Sequence, residues 1–207
     1  GERLRGVLLT ARADDKLESN TAGARDDALQ ALKLSADFVP AALIAAKALF
    51  REGGVRKAAS ILEQAWKSAP HPEIGQAYVR ARSGDSTLDR LKRAERLEGQ
   101  RPNNVESLLV VAQAALDAQE FAKARAKAEA AARMQPREAA YLLLADIEEA
   151  ETGDQGRVRH WLAQALKAPR DPAWVADGFV SDKWLPVSPV TGRLDAFEWK
   201  APFGQIE

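Results

Sequence analysis

The sequence predicts an all-α solenoid of about four to five helix–turn–helix repeats over residues 1–168, followed by an irregular, aromatic-rich C-terminal cap over residues 169–207. Three observations carry this reading. Small or aliphatic residues recur in triplets spaced four then three, which is one face of a helix: Ala24, Ala28 and Ala31; Ala58, Leu62 and Ala65; Ala124, Ala128 and Ala131; Val158, Leu162 and Ala165. The step from Ala24 to Ala58 is 34 residues, as is the step from Ala124 to Val158. Prolines keep nearly the same time, with Pro70, Pro102, Pro136 and Pro169 at steps of 32, 34 and 33.

The elements follow in order. The opening stretch, GERLRGVLLTAR, is amphipathic and begins abruptly, so the first unit is expected to keep only part of its leading helix. Short turns then divide each pair: REGG at Arg51–Gly54, SGD at Ser83–Asp85, DAQE at Asp117–Glu120 and ETGDQG at Glu151–Gly156. Each proline ends a second helix, because it lacks the N–H that a helix interior needs. Alanine permits close approach of antiparallel helices, and Leu62, Leu142 and Leu162 fill the gaps between pairs. One pair cannot bury its own apolar face, so pairs stack. The span from about His71 to Asn104 is degenerate, with Arg90 where a small residue is expected.

Composition excludes several classes. With 46% hydrophobic and 29% charged residues the chain is of folded type. Thirty basic residues balance thirty acidic ones, so no broad attraction to nucleic acid or anionic membrane is expected. The absence of cysteine removes disulfides, thiolate metal sites and thiol catalysis. Only His71 and His160 are available as imidazoles; His71, in APHPE, marks a helix start, and His160 lies on a helix. No metal-ligand spacing or nucleophile–base arrangement is present, so neither an enzyme nor a cofactor is expected. REGGVRK lacks the phosphate-loop pattern and reads as a helix stop and restart. KARAKAEAAAR (Lys123–Arg133) reads as a solvated basic face.

The pattern resembles the tetratricopeptide repeat (TPR). Ala46, Ala58, Leu62, Ala65 and Pro70 match one repeat of that family, and Ala112, Ala124, Ala131 and Pro136 another; Ala128 and Val158 are mild departures. The resemblance implies a concave groove lined by the first helix of each pair. Carried over, the groove residues are Leu43, Lys47 and Phe50; Gly75, Val79 and Arg82; Leu109, Gln113 and Leu116; and Leu143, Ile147 and Ala150. This mostly apolar set suits a protein or peptide partner, and part of it is expected to serve ordinary helix packing. Repeat proteins also pair through uncapped ends, so a homo-oligomer is a further expectation.

Helical periodicity ends near Pro169. The tail holds three of the five tryptophans and three of the six phenylalanines. Trp174, Phe179, Trp184, Phe197 and Trp199 must pack on the last repeat, on the groove or on a partner, and a cap on the solenoid is expected. SPVTG reads as a turn and RLDAFEW as a short strand or extended run. The tail also resembles a zinc knuckle without its cysteines. Ser188 and Thr191, with Pro189 and Gly192, stand where one pair of thiols would be, and Ala176 and Phe179 where the other would. Neutral hydroxyls do not replace thiolates for zinc, so aromatic packing is expected to hold the turns instead.

Finally, DPAWVADGFVSDKWLPVSPVTGRLDAFEW is similar to the C-terminal signature of HemY-type TPR proteins of proteobacteria. That resemblance implies a non-catalytic scaffold associated with haem biosynthesis, anchored in the inner membrane by two helices upstream of Gly1 and partnered with tetrapyrrole-pathway enzymes. It implies the cytoplasmic side, with the periplasmic side as the alternative. The competing expectation is direct haem or porphyrin binding, with His71 or His160 as axial ligand and the tryptophans as a stacking wall.

Overall fold

The computed structural model describes residues 1–202; the last five residues of the tail, Phe203 among them, lie outside the described residues. Among the described residues there are ten helices: α1 (Glu2–Lys16), α2 (Thr21–Leu34), α3 (Val39–Arg51), α4 (Val55–Ser68), α5 (Pro72–Val79), α6 (Thr87–Gln100), α7 (Val105–Asp117), α8 (Phe121–Met134), α9 (Glu138–Glu151) and α10 (Gln155–Lys167). Three short strands follow: β1 (Ala173–Ala176), β2 (Phe179–Ser181) and β3 (Glu198–Lys200). The helices form a TPR-like solenoid of helix–turn–helix pairs. They fall into two compact units, one of Gly1–Ala81 with Ala173–Lys200, the other built around Arg82–Pro172. The division falls in the degenerate repeat, between α5 and α6.

In the first unit, α1 packs on α2, α2 on α3, and α3 on α4. The triplet residues Ala24, Ala28, Ala31 and Ala58 are each 0% exposed. Ala24 and Ala28 meet Ile44, Ala45 and Ala48 of α3, and Ala31 meets Ala41. α4 packs on α5, and Leu62 and Trp66 of the first and Ile74 and Tyr78 of the second are fully buried. α1 is the longest of the ten helices, at 15 residues. Its side chains Arg12 and Lys16 both pair with the nearly buried Asp27 of α2, at 2.8 and 3.0 Å.

The second unit repeats the scheme, with α6 on α7, α7 on α8, α8 on α9 and α9 on α10. The turns after α3 and α7 use one device. After α3 and α7 the chain closes with Gly54 N–H to Leu49 C=O (2.7 Å) and Glu120 N–H to Ala115 C=O (2.8 Å). Both closures need a left-handed residue, Gly53 (φ 82°) and Gln119 (φ 60°). The residues after α10 turn back onto α9, where Asp171 accepts from Ala139 N–H (2.8 Å) and pairs with Arg137 (3.0 Å).

The tail is not irregular. Strands β1–β3 form an antiparallel sheet in the order β2-β1-β3, and Val187 bridges to Leu194. This sheet belongs to the first unit, where Trp184 and Leu194 pack against Val7, Phe38 and Ala41. In the second unit Leu142, Leu162 and Leu166 are 40%, 42% and 89% exposed. RLDAFEW, read as one extended run, supplies a bridge residue and the first two residues of β3 but turns at Asp195 (φ 57°).

One buried charge tests the packing of the second unit. Glu148 is 1% exposed, and its carboxyl is held below the usual range by the Thr152 hydroxyl and by Arg125 of α8. Arg125→Met leaves that charge without its cation, and unfolding by denaturant is expected to show a loss on the order of 3 kcal/mol. A loss below about 0.5 kcal/mol would mean that Thr152 alone satisfies the carboxylate.

Candidate functional site

The first unit holds a cavity of about 470 Å³ on the faces of α1, α3 and α5. These are the first helices of their pairs. Leu43, Ile44, Lys47 and Phe50 come from α3, spaced three or four apart on one face; Asp14 and Leu17 close one side. Glu73, Gln76, Ala77 and Arg80 close the other, again at three- and four-residue spacing on α5. The lining is an apolar floor with two acids and two bases at its margins.

The tail is built against the same α5. His71 caps that helix, its Nδ1 accepting from Glu73 N–H at 3.1 Å, and Pro72 sits at the first helical position. The ring of His71 stacks on Trp174 (centroids 5.5 Å, 27° between planes) and lies 3.9 Å from Trp199. Trp174 and Trp199 are cross-strand partners in β1 and β3. The Trp174 indole N–H donates to Glu73 Oε2 at 3.0 Å. One carboxylate therefore lines the cavity and anchors the sheet. Burial raises the Glu73 carboxyl above its ordinary value, and the indole bond partly offsets this. Burial also holds His71 neutral, its pKa lowered to about 4.

Of the groove residues carried over from the TPR pattern, Leu43, Lys47 and Phe50 converge on the cavity. Gly75 and Val79 are buried in the fold instead, and Arg82 is exposed in the second unit. In that unit Leu109 packs on the α7–α9 core, Gln113 bonds Asp117 on its own helix, and Leu116 is half-buried. Leu143 and Ile147 are core residues at 6% and 0% exposure, while Ala150 is exposed. The α5 register differs from the sequence reading because Pro72 starts that helix on a phase of its own, and this brought Glu73, Gln76 and Arg80 into the lining unforeseen. The cue was the HPE stretch, already legible as a helix start.

Four of the five tail aromatics pack within the first unit. Trp174 and Phe197 are buried, Trp184 meets Phe38 edge-on at 5.5 Å, and Trp199 covers His71. Phe179 is the exception at 41% exposure. The knuckle-like turns are held by a carboxylate rather than by aromatic packing. Ala176 and Phe179 flank a two-residue turn, Asp177-Gly178, with both φ angles positive (51° and 77°). The Asp177 carboxylate accepts from the Ser188, Thr191 and Arg193 side chains, which lower its pKa to about 2. Ser188 Oγ in turn accepts from the N–H groups of Val190 and Thr191. No cluster that could hold a metal ion occurs among the described residues. As for haem ligation, His71 is 3% exposed between two indoles, and His160 lies exposed beside Trp161.

No family model matches the chain. It is 28% identical over 200 residues to "Probable magnetosome protein Mms48" of Magnetospirillum gryphiswaldense, an alignment covering 95% of this chain and 44% of that protein. The chain thus spans less than half the length of this relative. Among solved structures it is similar to "MamA MSR-1 C2" (17% identity, 79% of this chain and 96% of that one, TM-score 0.45). It is also similar to "MamA RS-1 ArsTM double mutant" (12%, 81% and 94%, 0.48) and "Crystal structure of MamA" (16%, 75% and 92%, 0.47). These findings correct the HemY-type likeness. The relative that aligns along nearly the whole chain is named for the magnetosome, and the tail's aromatic composition reflects packing on the first unit. The inner-membrane location, on either side, falls with that likeness, and the relative's name gives the tetrapyrrole-pathway partners no support. No helix among the described residues is long and apolar enough to cross a membrane.

The pH dependence of the first unit follows from His71. Its folded pKa, about 4, lies below the ordinary 6.5, so the unfolded chain takes up the proton first. Stability is therefore expected to fall as pH drops from 6.5, with the loss complete near 4 and amounting to at most about 3 kcal/mol. Glu73 works in the opposite sense, so the comparison is with His71→Asn, which keeps a capping acceptor and does not titrate. Melting curves should be flatter in the variant across this window. Equal slopes would show that the buried imidazole is not their source.

Proposed function

We propose that this chain is a non-catalytic protein-binding scaffold, that its partner site is the cavity of the first unit, and that it serves a magnetosome-associated assembly as its relative's name indicates. The observation that carries the reading is the convergence of Leu43, Lys47 and Phe50 with Glu73, Gln76 and Arg80 around one concave cavity. Such a lining offers an apolar anchor site flanked by charges of both signs, which suits a peptide segment with one large apolar side chain and polar neighbours. The C-terminal sheet acts as the support of this site: Trp174 holds Glu73 and stacks on the residue that caps α5.

Panning a library of short random peptides on the chain tests this. Enriched peptides should bind the parent chain and lose roughly tenfold or more in affinity on Phe50→Glu or Lys47→Glu. Trp174→Phe, which keeps an aromatic face and removes the indole donor to Glu73, should weaken binding. Binding that survives the α3 changes and fails on Gln113→Arg would move the site to α7 and overturn the assignment.

A further inference from the structure

The covered carboxylates of the helices meet cations. Asp27 has Arg12 and Lys16, Glu148 has Arg125, and Glu106 has Arg137. Glu73 is the exception, and Glu106 shows what it lacks, because the two hold the same place in their repeats. Glu106 lies 33 residues after Glu73. Each stands two residues after a helix N-cap and donates its N–H to the capping side chain, at 3.1 Å to His71 Nδ1 for Glu73 and at 2.9 Å to Asn104 Oδ1 for Glu106. The Glu106 side chain is 11% exposed, and the Arg137 guanidinium bonds it at 2.9 Å.

The Glu73 side chain is 35% exposed and no lysine or arginine bonds it among the described residues. The Trp174 indole N–H donates to Oε2 at 3.0 Å. His71 carries its proton on Nε2, because Nδ1 accepts, and this nitrogen lies 3.6 Å from the same oxygen, beyond hydrogen-bond range. Oε1 has no hydrogen bond among the described residues. Burial acts on this carboxyl with the indole bond as the offset, so neither Lys47 nor Arg80 compensates it. A carboxylate drawn out of water costs free energy unless a counter-charge meets it. Glu73 lines the cavity, so the cavity is the side from which that counter-charge can come.

We infer that the peptide segment held in the cavity carries one lysine or arginine that bonds Glu73 Oε1, an inference that rests on the cavity being the partner site. The base of the ligand takes the place that Arg137 fills beside Glu106. The apolar neighbour of that base lies over Leu43 and Phe50. Arg80 stands seven residues beyond Glu73 on α5, about 10 Å along the helix axis, and Lys47 stands on α3. Neither has an ion pair among the described residues, so both are free to donate to the carbonyls or acids of the ligand. Together they repel a run of bases and leave room for a single one. Asp14, the other acid of the lining, is exposed on α1, and water already serves it. The ligand is therefore a segment of mixed charge with one base beside an apolar anchor.

Two pools of short random peptides, one complete and one without lysine and arginine, are panned on the whole chain. Binders should come from the complete pool and carry a base at one constant spacing from an apolar residue. For one such synthetic peptide, titration calorimetry should show a loss of roughly tenfold or more when that base is replaced by glutamine. Glu73→Gln, which keeps an oxygen for the indole N–H, should cause the same loss. The two changes together should cost no more than either alone, since both remove one bond. Losses that add would overturn the inference, because Glu73 would then act through the fold and not on the base of the ligand. Binders from the base-free pool that lose affinity on Phe50→Glu would also overturn it while leaving the partner site in place. Binders that ignore Phe50→Glu, or no binders from either pool, would overturn both.

Discussion

Close approach of helices at alanine is the constraint on which this structure depends. Ala24, Ala28, Ala31, Ala58, Ala124, Ala128 and Ala131 are all fully buried, and each sits where a larger side chain would push neighbouring helices apart. The stabilisation comes from the packing of faces over helix after helix, since alanine itself buries little area. The cost is that a helix pair is incomplete alone. Every pair needs a neighbour to cover its outer stripe.

The C-terminal sheet solves a different problem. Its strands have three or four residues each, too few to be stable unsupported. Two features compensate. The Asp177 carboxylate ties two turns together through three side-chain donors, and the Trp174–Trp199 pair closes over His71 at the start of α5. The first feature makes the sheet a unit; the second attaches it to the helices. Because α5 also contributes a wall of the cavity, the sheet and the candidate partner site share one helix.

How much of this was legible beforehand varies by element. The helix pairs, their turns and the degenerate third repeat follow from a 34-residue period and from prolines that no helix interior accepts. Leu43, Lys47 and Phe50 were placed because α3 keeps the repeat phase. Glu73, Gln76 and Arg80 were not, because a proline at the first helical position restarted the phase of α5 and no local rule sets the rotation of a helix about its axis. The hairpin at Asp177-Gly178 was present as an Asp-Gly dipeptide between apolar residues, a turn signal obscured by the resemblance to a metal knuckle. Ala176 and Phe179 do flank a tight turn, but the group at its centre is a carboxylate from within the turn.

By itself the sequence determined the all-helical solenoid, its period and the need of its aromatic tail for something to pack against. These follow from local chemistry: spacing along one helix face, proline as a breaker and the large apolar area of tryptophan. Only the tertiary structure decided where the tail goes. Trp174 donates to Glu73, Trp184 meets Phe38 and Arg3 pairs with Asp195 at 3.0 Å, contacts between residues about 100 to 190 positions apart in the chain. Nothing local distinguishes the last helix pair from the first as a resting place for those side chains. The choice depends on the shape and charge of a surface that exists only once the helices have packed.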